Sequence, residues 1–157
     1  MIEAVRDLDI QVVIAAASPW SKRADTTDGR EIPENVLVRR FSQYELRTLY
    51  ALSSFVDMPL YNVNFQAGVT AILEAMARGK AVICSRTPGQ SDIVVENLTG
   101  IYVTPQNPQA LKEAILFLLN NPEKAEQMGK NGRLRVADSM SLECYASRLK
   151  QYLPMLI

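Results

Sequence analysis

The chain has 157 residues, 48% of them apolar and 22% charged, a mixture that suits one globular domain and excludes a disordered segment. Seventeen basic residues balance seventeen acidic ones, so no overall field draws the chain onto nucleic acid or an anionic membrane. Histidine is absent, which removes imidazole bases, Ser-His-Asp and Cys-His nucleophile pairs, and His-ligated metals. The start, Met1-Ile2-Glu3-Ala4-Val5-Arg6, has no basic n-region, and nothing approaches the roughly 18 apolar residues of a membrane span. A cytoplasmic domain is expected.

Short apolar runs alternate with helical patterns along the chain. Residues 10–15 form a β-branched run suited to a buried strand. A long polar stretch from Ser18 to Pro33, with Trp20 near its start, reads as a surface connection or a ligand lid. Strands are expected again at 36–38, 55–60, 81–84 and 100–103, with helical spacing between them at 44–52 and 71–77. Continuous rather than alternating apolar runs point to strands covered on both faces, and the β–α–β–α order to an open parallel α/β sheet. Cys84 lies inside one such run and is expected reduced and buried rather than in a disulfide or at a metal. The last third, from about 107 to 157, turns helical. Asn107-Pro108 and Asn121-Pro122 each offer a helix start, and Ser141 a third, with Pro154 placed as a stop. The apolar stripes Leu111, Ala114, Ile115, Leu118, Leu119 and Leu142, Tyr145, Ala146, Leu149, Leu153 are expected in the core.

The chemistry is expected around residues 64–80. Small residues there lead from a strand into a helix, with Gly79 as its C-cap. Backbone N–H groups at such a helix start can approach an anion, and the helix dipole favours a phosphate. Glu74 stands in a helix that is apolar almost all round, which predicts burial and a need for hydrogen-bond partners. Two vicinal hydroxyls, as on a ribose, would satisfy it; so would backbone amides or an arginine. The loop 85–92 follows a strand at the sheet edge where open α/β folds bind ligands. Arg86 there, and Arg40 after an earlier strand, are phosphate contacts or plain surface arginines.

These residues also carry a family likeness. Leu73-Glu74-Ala75-Met76-Ala77-Arg78-Gly79-Lys80-Ala81-Val82-Ile83 resembles the "LEAMACGKPVV" block of family 4 glycosyltransferases, which have the GT-B fold. In register with it, Pro88-Gly89-Gln90-Ser91-Asp92-Ile93-Val94 resembles "GGxPEIV", and Asn97 to Pro105 resembles "DGxTGLLVPP". Asn107 to Leu111 resembles "DPEAL", and Tyr44 to Ala51 resembles "EELxxLYAxAD". The similarity covers nearly the whole chain and corresponds to the donor-binding half of such an enzyme. It implies one Rossmann-like domain over 1–157, an open parallel sheet flanked by helices.

The resemblance implies retaining transfer of a sugar from a nucleoside-diphosphate sugar, with no cofactor and no metal. The second glutamate of the family's E-x7-E motif matches Glu74 and implies a ribose contact. The backbone at Ala67, Gly68, Val69 and Thr70 would hold the diphosphate or sugar, helped by Thr87, Pro88, Gly89 and Gln90, with Arg40 and Arg86 nearby. Gln66 stands where the family has its first glutamate, and Ala67-Gly68-Val69 departs from "GFG". No catalytic residue is assigned. The acceptor-binding N-terminal domain, the first central strand and the Arg/Lys pair that follows it have no counterpart in this sequence. A fragment is therefore expected, binding weakly, not turning over alone, and prone to self-association through an incomplete sheet. The full-length enzyme would sit in the cytoplasm or peripherally on the inner membrane face. Two rival readings are a non-catalytic nucleotide- or partner-binding module and a GT-B sugar-nucleotide epimerase; the lack of histidine counts against the second.

Overall fold

The computed structural model describes residues 1–15, 31–90 and 92–152. The loop residues 18–30, Trp20 among them, as well as Ser91, Leu153 and Pro154, lie outside the described residues. The elements in chain order are α1 (Ile2–Val5), β1 (Val12–Ala15), β2 (Val36–Arg39), α2 (Gln43–Leu52), β3 (Phe55–Met58) and α3 (Val69–Ala77). Then follow β4 (Ala81–Ser85), a 3-10 turn at Pro88–Gln90, β5 (Gly100–Val103), α4 (Pro108–Asn120), α5 (Pro122–Ser139) and α6 (Leu142–Tyr152).

Every strand pairing is parallel, as the continuous apolar runs predict. β4 is the best covered. All five of its residues are buried, and their side chains alternate between two cores. Ala81 and Ile83 face Leu111, Ala114, Ile115 and Leu118 of α4 together with Ala4 and Val5 of α1. Val82 and Cys84 face Ile72, Ala75 and Met76 of α3. The result is helix on sheet on helix, with α5 packed along α3 and β4.

Local chemistry sets the helix ends. Ser42 caps α2 in a reciprocal box with Glu45, and the Asn107 side chain accepts from Ala110 N–H at 3.0 Å to start α4 before Pro108. Gly79 takes φ +71 just after α3. Cys84 is free and fully buried, and burial, with the Asp57 charge adding to it, pushes its thiol up to about 12.

The sheet is incomplete, as expected, and one helix departs from expectation. The strands form two sheets, β1–β2 and β3–β4–β5, and no ladder joins them among the described residues. The sheet is interrupted between β1–β2 and β3–β4–β5 among the described residues. A cavity of about 470 Å³ opens there, lined by Ile14 from one sheet, Ser85 and Val103 from the other, and Met1 and Leu111 from the helical side. The departure is α6. Its stripe was expected in the core, yet Leu142, Tyr145 and Leu149 are exposed, and the main contact of α6 among the described residues is with α5.

One residue is out of keeping with its strand. Asp57 pairs in register with Ile83, and both its carboxylate oxygens are buried without a hydrogen-bond partner. Burial pushes its carboxyl up to about 7.

Candidate functional site

The site is built where the chain enters α3. Residue 68 is the N-cap and has φ +70, a left-handed conformation that glycine adopts without strain. A Cβ there would also lie 2.9 Å from the Met58 sulfur. The first intrahelical bond runs from Ile72 N–H to Gly68 O at 3.1 Å, so the N–H groups of Val69, Thr70 and Ala71 precede it at the positive end of the helix. Just upstream, Ala67 N–H donates to Phe65 O at 2.9 Å and bends the chain into a tight turn.

A second loop is pressed against this turn. Gly89 has no room for a side chain, since a Cβ would fall 2.1 Å from Phe65 O. Gln90 is 1% exposed; its amide Nε2 donates to Ala67 O, and the Tyr102 hydroxyl donates to Gln90 O. The tertiary fold thus joins residues 65–68 and 87–90 into one unit at the start of α3. Two polar atoms inside that unit, Thr87 Oγ1 and Gln90 Oε1, are buried without partners. Such groups are unusual and cost stability unless a ligand or water satisfies them.

Glu74 corrects one expectation. It is exposed, not buried. Thr70, Glu74 and Ala77 form the uncovered stripe of α3, while Ile72, Ala75 and Met76 face the core. The small alanines of this helix carry no information about which face is open, so the sequence pattern hid the stripe. Thr70 and Glu74 are one turn apart on that stripe, and Oε2 of Glu74 accepts from the Tyr50 hydroxyl at 3.2 Å.

The two arginines are placed differently. Arg86 is paired with Glu96 and its guanidinium stacks on the Tyr102 ring at 4.4 Å from the centroid. It therefore reaches the Gln90 loop through Tyr102 rather than directly. Arg40 is exposed beyond β2, and no hydrogen bond joins its side chain to the α3 start among the described residues. Neither arginine, nor any of residues 66–70, 74 and 87–90, lines the cavity between the sheets. No three His, Cys, Asp or Glu side chains converge among the described residues.

Tyr50, Glu96 and Tyr102 were not foreseen as part of this region. Tyr50 and Tyr102 look like ordinary core aromatics in the sequence, and only the packing of α2 on α3 and of β5 beside the 87–90 loop brings their hydroxyls into play.

Parallel strands flanked by helices, with two loops joined at the start of α3, define a protein of the open α/β class. Comparison with known proteins narrows it: residues 1–135 match the family described as glycosyl transferases group 1, and the chain belongs to that family. An uncharacterized glycosyltransferase of Methanocaldococcus jannaschii is 31% identical over 134 residues, covering 85% of this chain and 37% of that protein. The D-rhamnosyltransferase WbpZ of Pseudomonas aeruginosa is 28% identical over 137 residues, covering 86% of this chain and 36% of its own. The chain thus spans little more than a third of the length of these relatives. Among solved structures, sucrose-phosphate synthase from Thermosynechococcus elongatus superposes with a TM-score of 0.78 at 27% identity, covering 99% of this chain and 41% of that one. Anabaena HepE, solved in complex with UDP-glucose, shares the fold at a TM-score of 0.67 and 20% identity, covering 78% of this chain and 33% of its own. The fold is the α/β arrangement of one half of a GT-B glycosyltransferase.

Proposed function

We propose that this chain is the donor-binding half of a retaining, family 4 glycosyltransferase and takes a nucleoside-diphosphate sugar. The observation that carries the reading is the unit formed by residues 65–68 and 87–90 at the start of α3, with Glu74 exposed one turn further on. The N–H groups at Gly68 to Thr70 bind the diphosphate, because free amide donors and the helix dipole both favour an anion there. Glu74 accepts the ribose hydroxyls in charge-assisted hydrogen bonds. Gln66, exposed beside them, donates to and accepts from hydroxyls of the transferred sugar, and Thr87 and Gln90 offer two unsatisfied oxygens to the same ligand. The fold shared with a protein solved with UDP-glucose supports a sugar nucleotide as the ligand.

On this reading the domain extends over 1–157 and is incomplete by itself. The acceptor-binding half, and a strand between β1 and β3, come from polypeptide outside these residues. The interrupted sheet and the greater length of the relatives support that arrangement. Leaving-group charge would be neutralised from the same missing segment, so the chain alone binds donor weakly and does not turn over, and its open strand edges favour self-association. Metal takes no part in the binding proposed. The second reading, a non-catalytic nucleotide- or partner-binding module, is favoured by one residue: Gln66 cannot carry the negative charge of the acid it replaces.

Calorimetric titration of the chain with UDP, GDP and ADP tests the proposal. One nucleotide binds, EDTA leaves its affinity unchanged, and Glu74→Ala weakens it by about 1–3 kcal/mol, the range for loss of a charged hydrogen-bond partner. A folded chain that binds none of the three sinks the donor-site reading.

A further inference from the structure

Resting on the reading of Glu74 as the ribose acceptor, we propose that Tyr50 is a positioning residue that holds the Glu74 carboxylate ready for the ribose hydroxyls. An exposed glutamate has several rotamers, and fixing one of them on binding costs conformational entropy. The Tyr50 hydroxyl donates to Glu74 Oε2 at 3.2 Å, the one hydrogen bond to that carboxylate among the described residues. Oε1 and the second lone pair of Oε2 stay open, which is the acceptor capacity two vicinal hydroxyls require.

Tyr50 can do this because it is itself held. Its half-buried ring packs against the buried cluster that includes Ile72, Ala75 and Met76 of α3 and Val82 and Cys84 of β4. The helix that carries it is tied at both ends. Ser42 and Glu45 close the capping box at the start. At the other end Lys80 Nζ donates to Ala51 O at 2.9 Å and Ser53 O at 2.7 Å, fastening the last turn of α2 to the residue that follows Gly79 beyond α3. The two helices that contribute Tyr50 and Glu74 are therefore joined by a second link. Burial and the neighbouring Glu74 charge push the phenol up to about 12, so the hydroxyl remains a donor throughout the neutral range.

The test compares a ribonucleoside diphosphate with its 2′,3′-dideoxy analogue, by calorimetry on the intact chain, Tyr50→Phe, Glu74→Ala and the double variant. Tyr50→Phe keeps the ring and its packing. The expected result is a loss of about three- to tenfold in affinity for the ribonucleotide. The dideoxy analogue should bind unchanged, and Tyr50→Phe should cost nothing further in the Glu74→Ala background. Unchanged ribonucleotide binding by Tyr50→Phe, with a clear loss in Glu74→Ala, overturns the role of Tyr50 and leaves the role of Glu74 standing. Equal losses for both nucleotides mean that Tyr50 merely supports the fold, and overturn it too. No binding by the intact chain, or none of it dependent on Glu74, overturns the reading of Glu74 and this proposal with it.

Discussion

β4 and β1 look alike as sequence, each a short run of small and β-branched apolar residues, yet the structure treats them oppositely. β4 has a strand on each side and a helix layer on each face, and every one of its five residues is buried. Among the described residues β1 has one neighbour, β2, and none of its four residues is buried; Ala15 is exposed. The contrast teaches that a parallel strand owes its burial to position in the sheet rather than to its own hydrophobicity. It also divides the molecule. The half around β4 holds the joined loops and α3, so the candidate site rests on its most deeply packed part.

Truncating equivalent positions in the two halves should separate them most sharply. Ile83→Ala removes a side chain that is fully buried and should cost about 2–5 kcal/mol in denaturant unfolding, whereas Val13→Ala in half-buried β1 should cost under about 1 kcal/mol. Equal losses would mean that β1 is covered in solution and that the contrast is not a property of the free chain.

Asp57 offers the next test, since it is a carboxylate in the better-packed half. Its folded pKa of about 7 lies above the ordinary value of 3.8, so folding favours the protonated form. The favourable contribution is complete below about pH 4 and fades as pH rises toward 7, and stability levels off above that. Asp57→Val should therefore stabilise the chain by about 2 kcal/mol at pH 8 and flatten the decline between pH 4 and 7. Urea unfolding across that range checks it. A variant less stable than the parent at pH 8 would mean that Asp57 has found a partner. The smallest effect belongs to α6: Leu142→Ser, at an exposed position on a helix held mainly by α5, should change stability by less than about 0.5 kcal/mol.

Much of this was legible residue by residue. The apolar runs located all five described strands, Asn107 sits where a cap belongs, and residues 64–80 marked the helix start at Gly68. Glu74 was recognisable as the one charge in an apolar helix, although its burial was misjudged. Asp57 stood in the open within its strand as a charge in an apolar run, and its consequence went unread because a strand's sequence does not say which residues it lies between.

The amino-acid sequence by itself determined the local structure, since capping, glycine conformation and apolar periodicity depend on near neighbours along the chain. It also determined the family, through an ordered set of motifs. Tertiary structure alone decided which strands meet and which edges stay open, that α6 presents its stripe outward, and that Glu74 lies exposed beside Tyr50. It also brought Gly89 and Gln90 against the turn at Phe65 to Ala67. Each of these is a contact between residues far apart along the chain or a surface left uncovered. No periodicity encodes such a relation, because it depends on how whole elements stack.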